Sequence, residues 1–182
     1  MSPLRTGRRQ GAALVATAGL MVGVLFLGCR SEPARLGAGS RLSFELPSLD
    51  GDRIGPSDHR GKVVILDFMA TWCAPCKIQN EVLTALAEEY SPDRLQILIV
   101  DSGEPMERVR KHFRERPVHH PVLVDADAAL ADRLDVRGFP TLLMLNEEGE
   151  VVFTQEGLAP PKILREELEK LGLSPAGASD SG

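Results

Sequence analysis

The chain has 182 residues, of which 43% are hydrophobic and 4% are aromatic, and its formal charge is −5 at pH 7. This length suits one well-buried domain and is short for two. The negative charge argues against a nucleic-acid-binding protein, because such proteins present a basic surface to phosphates.

The first 28 residues predict an export signal of the lipoprotein type. They contain three arginines and no acid, and an apolar run over 12–28 ends directly before Cys29. This ending resembles the lipobox of bacterial lipoproteins, in which the cysteine is lipidated after cleavage, although Phe26 stands where the box usually has Leu. The alternative is an uncleaved anchor helix, since about 17 residues is the lower limit for crossing a bilayer. Both interpretations predict a membrane-anchored domain outside the cytoplasm, facing the periplasm or the cell surface.

Two further segments lack apolar periodicity and flank a single predicted domain. Residues 29–40 contain Gly, Ala, Ser and Pro and predict a flexible tether. Residues 174–182 have a similar composition and predict a disordered tail. The predicted domain between them spans 41–173.

Within this domain, short apolar runs rich in β-branched residues alternate with stretches of helical periodicity. The predicted elements, in chain order, are a hairpin over 42–46 and 53–54, a strand at 63–68, a helix at 76–90, a strand at 95–100, a helix at 105–116, a strand at 122–124, a helix at 128–134, a hairpin over 141–145 and 151–154, and a helix at 161–171. This alternation predicts an α/β sandwich with a mixed sheet.

Cys73 and Cys76 lie three positions apart, where the strand at 63–68 gives way to a helix. Free N–H groups and the dipole at a helix N-terminus stabilise a thiolate, and a second cysteine at this spacing is close enough to attack a mixed disulfide. A zinc site would need two further ligands at suitable spacing, and a disulfide that closes so small a loop would contribute little stability. The pair is therefore predicted to be redox-active, with no metal and no other cofactor. The third cysteine, Cys29, is then the predicted lipidation site.

Two stretches carry a family resemblance: VVILDFMATWCAPCKIQNEVLTALA at 63–87 and VRGFPTLLMLNEEGEVV at 136–152. They resemble the thioredoxin family and, more narrowly, the extracytoplasmic TlpA/ResA-like thiol–disulfide oxidoreductases. The resemblance covers nearly all of 41–173. It implies a thioredoxin fold, in which three layers (α/β/α) contain a central mixed sheet, with an added N-terminal β-hairpin and a central insertion near 103–127.

The same resemblance implies roles for residues at the site. Cys73 would be the exposed nucleophile and Cys76 the resolving thiol. Pro140 would be a cis-proline that faces the disulfide, and Phe139 and Trp72 would line the substrate groove. A cis bond is essentially confined to proline, and an exposed backbone edge can pair with an extended substrate strand.

Two acidic residues are candidate catalytic groups. Asp67 interrupts an apolar strand, where a carboxylate is costly to bury, and burial should raise its pKa toward the range of a general base. The resemblance implies that Asp67 helps to deprotonate Cys76, although many ResA-like proteins have Asn here. It also implies that Glu104, which follows the predicted strand at 95–100, is an active-site acid that tunes the cysteine pKa values. The alternative for Glu104 is a first-turn acid of the next helix, favoured by the helix dipole.

The predicted function is an extracytoplasmic thiol–disulfide oxidoreductase that reduces protein disulfides through Cys73 and Cys76. The predicted partners are disulfide-bearing clients such as apocytochrome c during cytochrome c maturation, and a membrane thiol reductant as electron donor. No nucleic-acid partner is expected.

Three alternatives stay open. One is a disulfide oxidant or isomerase, because the residues do not set the redox poise. Another is a copper-binding chaperone, with His119 or His120 as a further ligand. A peroxidase is also possible on this fold, but Ala70 stands where its usual Thr-x-x-Cys arrangement has Thr.

Overall fold

The computed structural model describes residues 41–176, which form a five-stranded mixed sheet flanked by helices. The strands are β1 (Leu46–Pro47), β2 (Arg53–Ile54), β3 (Val63–Met69), β4 (Leu95–Ser102), β5 (Val122–Asp125), β6 (Thr141–Leu145) and β7 (Val151–Glu156). The helices are α1 (Ala74–Glu89), α2 (Met106–Glu115), α3 (Ala129–Arg133) and α4 (Pro161–Lys170), with a short 3-10 helix at Pro56–His59.

The central strand of the sheet is β3. The strand order is β5-β4-β3-β6-β7, and β1 and β2 form a separate two-stranded hairpin. Strand β3 pairs in parallel with β4 and antiparallel with β6, while β5 is parallel to β4 and β7 antiparallel to β6. Every residue of β3 is buried, as its apolar sequence predicts for a strand covered on both faces. The predicted thioredoxin-type sheet and N-terminal hairpin are confirmed.

Alternate residues of β3 point to opposite faces of the sheet and enter separate core clusters. Leu66 and Phe68 pack in the cluster that contains residues of α3. Val63 and Ile65 pack in the cluster that contains residues of α1 and α4. The period of two therefore places Asp67 on the second face, together with Ile65 and Met69.

The N-terminal hairpin differs from the prediction. A strand was expected over 42–46, but it covers only Leu46–Pro47. The reason is that Leu42 is buried in the core, and its N–H donates 2.8 Å to the carbonyl of Gly149 in the β6–β7 turn. Arg41 forms an isolated β-bridge with Glu150 beside that turn.

The other elements begin or end within a few residues of their predicted bounds. The helix expected from Cys76 begins at Ala74, because Cys73 caps it and Pro75 suits its first turn. The predicted insertion near 103–127 holds α2 and also β5, which is an edge strand of the main sheet.

No helix among residues 41–176 is long and apolar enough to span a membrane. The predicted signal (1–28), the tether (29–40) with Cys29, and residues 177–182 of the predicted tail lie outside the described residues.

Candidate active site

The Cys73–Cys76 pair is a disulfide at the N-terminus of α1. Cys73 is the N-cap residue, and its Sγ accepts a hydrogen bond of 3.2 Å from the backbone N–H of Cys76. The loop from the end of β3 closes with a bond of 3.0 Å from the Cys73 N–H to the Ala70 carbonyl. The predicted position of the first sulfur beside helix N–H groups is confirmed.

The expectation that Cys73 is exposed is wrong for this oxidised form. Cys73 is only 3% exposed and Cys76 is 0% exposed. Both pack in a cluster with Met69 and Ile99, and Phe139 lies against that cluster. Of the two sulfurs, Cys73 is still the one nearer to solvent.

An aromatic pair borders the disulfide. Trp72 is 70% exposed, and its ring centroid lies 6.0 Å from that of Phe139, with the two planes at 59°. The Phe139–Pro140 peptide bond is cis, as the resemblance implies. Two more apolar side chains are exposed: Ile78, two residues after Cys76 on α1, and Leu158, whose neighbour Gly157 donates 2.8 Å to the Pro140 carbonyl. These side chains give the site an apolar surface that suits contact with another polypeptide.

Asp67 is completely buried in the strand that leads to the disulfide. Among the described residues, neither of its carboxylate oxygens has a hydrogen-bond partner. Burial raises the pKa of Asp67 well above its usual range, because the charged form has lost its solvation. Asp67 thus stands on the same face as Met69, which packs with both cysteines, and holds its proton to a higher pH than an ordinary carboxyl does. Its role toward Cys76 stays a prediction.

Glu104 binds the loop that carries Cys73. It is 3% exposed, its Oε1 accepts 2.8 Å from the Thr71 hydroxyl, and its Oε2 accepts from the Thr71 backbone N–H. Arg108 Nη1 lies 3.4 Å from Oε1. Within residues 41–176, these bonds tie the carboxylate to the active-site loop rather than to the N–H groups of α2. The structure thereby places Glu104 at the site; its effect on the cysteine pKa values stays a prediction.

Asp101 is a buried acid at this site that the sequence prediction missed. It pairs with Met69 across the parallel β3–β4 ladder, on the same face as Ile99. Burial raises the pKa of Asp101 to about 8, with a further contribution from the nearby carboxyl of Glu104, against a lowering by the Thr71 N–H. The available signal was an acid in the apolar strand LQILIVDS, the same argument that identified Asp67.

Gln79 was missed as well. It is fully buried on α1, three residues after Cys76, and its Oε1 accepts 2.8 Å from the backbone N–H of Ala159. This bond joins α1 to the segment before α4. Gln79 thus fixes the helix that presents the sulfurs.

The histidines considered as copper ligands lie elsewhere. His120 lines a cavity of about 350 Å³ together with Phe113 and Val122, and neither cysteine lines it. Burial lowers the pKa of His120, and the charge of His119 lowers it further. Within residues 41–176, no three His, Cys, Asp or Glu side chains form a group that could hold a metal ion. The copper hypothesis gains no support from this arrangement.

Comparison with known proteins agrees with this geometry. The family described as AhpC/TSA matches residues 40–154. The chain is 34% identical over 110 residues to the thiol-disulfide oxidoreductase ResA of Bacillus subtilis, and this match spans 60% of the chain and 62% of that relative.

Two solved structures extend the likeness. A thiol:disulfide interchange protein DsbE from Chlorobium tepidum aligns with a TM-score of 0.67 at 26% identity, over 75% of the chain and 97% of its own. The pneumococcal exposed lipoprotein thioredoxin Etrx1 of Streptococcus pneumoniae aligns with a TM-score of 0.65 at 29% identity, over 71% of the chain and 100% of its own.

Replacing Asp67 by Asn should change how stability depends on pH. Because the pKa of Asp67 is raised in the folded protein, the folded state keeps a proton that the unfolded chain releases near its ordinary pKa of 3.8. The contribution of Asp67 to wild-type stability therefore declines as pH rises above about 4, until the folded-state pKa is passed. We expect the free energy of unfolding of Asp67→Asn, measured with urea on the oxidised protein, to decline less steeply between pH 5 and pH 8.

Asp93→Asn is the matched control, because it makes the same charge change on an exposed loop. It should leave the slope of the wild type unchanged. Parallel curves for the wild type and Asp67→Asn would contradict the assignment of the retained proton to Asp67.

Proposed function

The chain belongs to the AhpC/TSA family and is a thiol–disulfide oxidoreductase of the ResA and DsbE type, and we propose that it reduces protein disulfides outside the cytoplasm. The observation that carries the proposal is the Cys73–Cys76 pair at the N-terminus of α1, beside the exposed Trp72. A helix N-terminus stabilises the thiolate that thiol–disulfide exchange requires.

The proposed reaction has two steps. The Cys73 thiolate attacks one sulfur of the client disulfide, forms a Cys73–client mixed disulfide and releases the other client sulfur, which takes up a proton. Cys76 then loses its proton and attacks the Cys73 sulfur, which re-forms the Cys73–Cys76 disulfide and releases the second client thiol. Two electrons and two protons pass to the client, and the chain is left oxidised.

Asp67 is the proposed proton handler of the second step. Its burial keeps it protonated to a pH well above that of an ordinary carboxyl, which moves its pKa toward the range of a general base. It lies on the sheet face shared with Met69, which packs with both cysteines. Glu104 contributes by holding Thr71, two residues before Cys73.

The proposed binding surface for clients consists of the apolar side chains that border the disulfide. Trp72 and Phe139 offer ring faces, and Ile78 and Leu158 extend the apolar area. Clients of this chemistry are polypeptides with an accessible disulfide, and we include apocytochrome c, whose haem-binding cysteines must be reduced before ligation. The electrons would return to the chain from a membrane thiol reductant.

The proposed location rests on the sequence before residue 41. The basic start, the apolar run over 12–28 and Cys29 together resemble a lipoprotein signal. The likeness to a pneumococcal protein described as an exposed lipoprotein thioredoxin supports the same anchor.

Serine variants of the two cysteines should behave differently. Cys73→Ser should reduce the turnover of a disulfide-bonded client to background, because no nucleophile is left at the N-cap of α1. Cys76→Ser should form the mixed disulfide and stop there, so that a client–protein adduct accumulates and is released by dithiothreitol. Non-reducing mass spectrometry measures both outcomes. Cys29→Ser is the control that keeps full turnover, and multiple turnovers by Cys76→Ser would contradict the assigned resolving role.

The direction of electron flow follows from the reduction potential of the pair. A reductant should have a potential near that of thioredoxin, about −270 mV, whereas a value near the −120 mV of DsbA would make the chain an oxidant. Equilibration against dithiothreitol or glutathione buffers measures it, and the fluorescence of Trp72, the only tryptophan, reports the state of the adjacent pair. A potential on the oxidising side would overturn the reductant and support the oxidant alternative.

Cys29→Ser should release the chain from the membrane fraction. The lipidated cysteine is the proposed anchor, so its loss leaves a protein without the lipid. Fractionation of cells that express the full chain, followed by mass measurement of the N-terminus, checks this. A variant that stays membrane-bound with an intact N-terminus would show that the apolar run is an uncleaved anchor helix.

A further inference from the structure

Two buried carboxyl groups lie together beneath the active-site loop. Asp101 ends the apolar part of β4, opposite Met69, and Glu104 follows three residues later. Both side chains are almost completely inaccessible to solvent. The Thr71 backbone N–H donates to Glu104 and lies close enough to Asp101 to affect its ionisation. The pair thus contacts the segment that leads to Cys73.

The hydrogen bonds show which carboxyl is ionised. Glu104 accepts from the Thr71 hydroxyl, the Thr71 N–H and Arg108, as a carboxylate does. Neither oxygen of Asp101 accepts a hydrogen bond from another described residue. Two adjacent buried carboxylates repel each other, and Asp101 is satisfied only if it carries a proton and donates it to Glu104.

We propose that Asp101 is a positioning residue for disulfide exchange: its protonated carboxyl donates a hydrogen bond to Glu104 and thereby fixes the bonds from Glu104 to Thr71 that hold the Cys73 loop. This inference rests on the proposed function, since it assigns a part in the same reaction. The pKa of Asp101, which burial and the nearby Glu104 raise to about 8, agrees with a proton retained at neutral pH.

Other charged groups lie on the elements that surround the pair. They are Asp67 on the same face of the sheet, Lys77 on α1, and Arg108 and His112 on α2. Burial lowers the pKa of His112, so this side chain is neutral above pH 7. Burial also raises the pKa of Asp67, which is why an Asp67→Asn background belongs in the test.

The consequence is a loss of loop order at alkaline pH. As the pH rises through about 8, Asp101 ionises, ceases to donate and repels Glu104. Glu104 then holds Thr71 less firmly, and Cys73 loses its fixed place at the cap of α1. The exchange rate should therefore decline relative to that of a chain whose residue 101 donates but cannot ionise.

Two substitutions separate donation from ionisation. Asp101→Asn keeps an N–H donor for Glu104 and cannot ionise, whereas Asp101→Leu is similar in size and can do neither. Exchange with a client disulfide is measured from pH 6.5 to pH 9, with Asp93→Asn as the exposed control and each variant repeated in the Asp67→Asn background. We expect the exchange rate of Asp101→Asn, divided by that of the wild type, to rise several-fold from pH 6.5 to pH 9. At pH 6.5, the exchange rate of Asp101→Leu should be several-fold below that of Asp101→Asn.

A second readout needs no client. In chains that carry Cys29→Ser and Cys76→Ser, the rate of Cys73 alkylation by iodoacetamide reports thiolate formation directly. The alkylation profile of Asp101→Leu should move to higher pH relative to that of Asp101→Asn. If alkylation behaves as expected while no variant reduces protein disulfides, the proposed function fails and the positioning role stands.

Two results would overturn the role of Asp101. One is a pH-independent ratio between the Asn and wild-type rates. The other is equal rates for Leu and Asn at pH 6.5. Circular dichroism of each variant identifies any that does not fold. If Asp101→Leu does not fold, the pH dependence of the ratio between the Asp101→Asn and wild-type exchange rates tests the role of Asp101.

Discussion

The hydrogen bond from the Cys76 N–H to the Cys73 sulfur is the contact on which the site depends. It makes a redox sulfur the cap of α1, so the position of that sulfur is set by how α1 packs on the sheet. Leu83 and Leu86 fix that packing against the β3 face that carries Val63 and Ile65. The reactive atom thus lies at one end of a rigid, well-buried unit, which is how catalytic geometry is held most precisely.

Acidic side chains buried among apolar ones are the second feature of this site. Asp67 and Asp101 occupy the sheet face toward the sulfurs, and both have raised pKa values because burial disfavours their charge. Glu104 differs, since Thr71 and Arg108 satisfy its carboxylate. Neutral and ionised acids can therefore coexist around one disulfide, and the hydrogen-bond partners of each decide its state.

The strongest local patterns allowed much of the fold and part of the site to be predicted. The apolar run of β3, the periodicity of α1 and the Cys73–Cys76 spacing each have a local physical cause, and an acid within the apolar run identified Asp67. The pairing of Asp101 with Glu104 and Thr71 could not be predicted. It depends on the register between β3 and β4, which brings Thr71 to a residue 33 positions away. The burial of Cys73 was likewise hidden, because the cluster that encloses it includes residues far away in sequence, such as Ile99 and Val124.

The bond from Leu42 to Gly149 determines where the chain enters the domain. The β6–β7 turn that receives it lies beside the start of β3, since Leu145 pairs with Val64, while the disulfide follows the opposite end of that strand. Entry point and disulfide are thus separated by the length of β3, about 20 Å. A partner that binds at the disulfide is therefore kept clear of the segment through which the chain enters the domain.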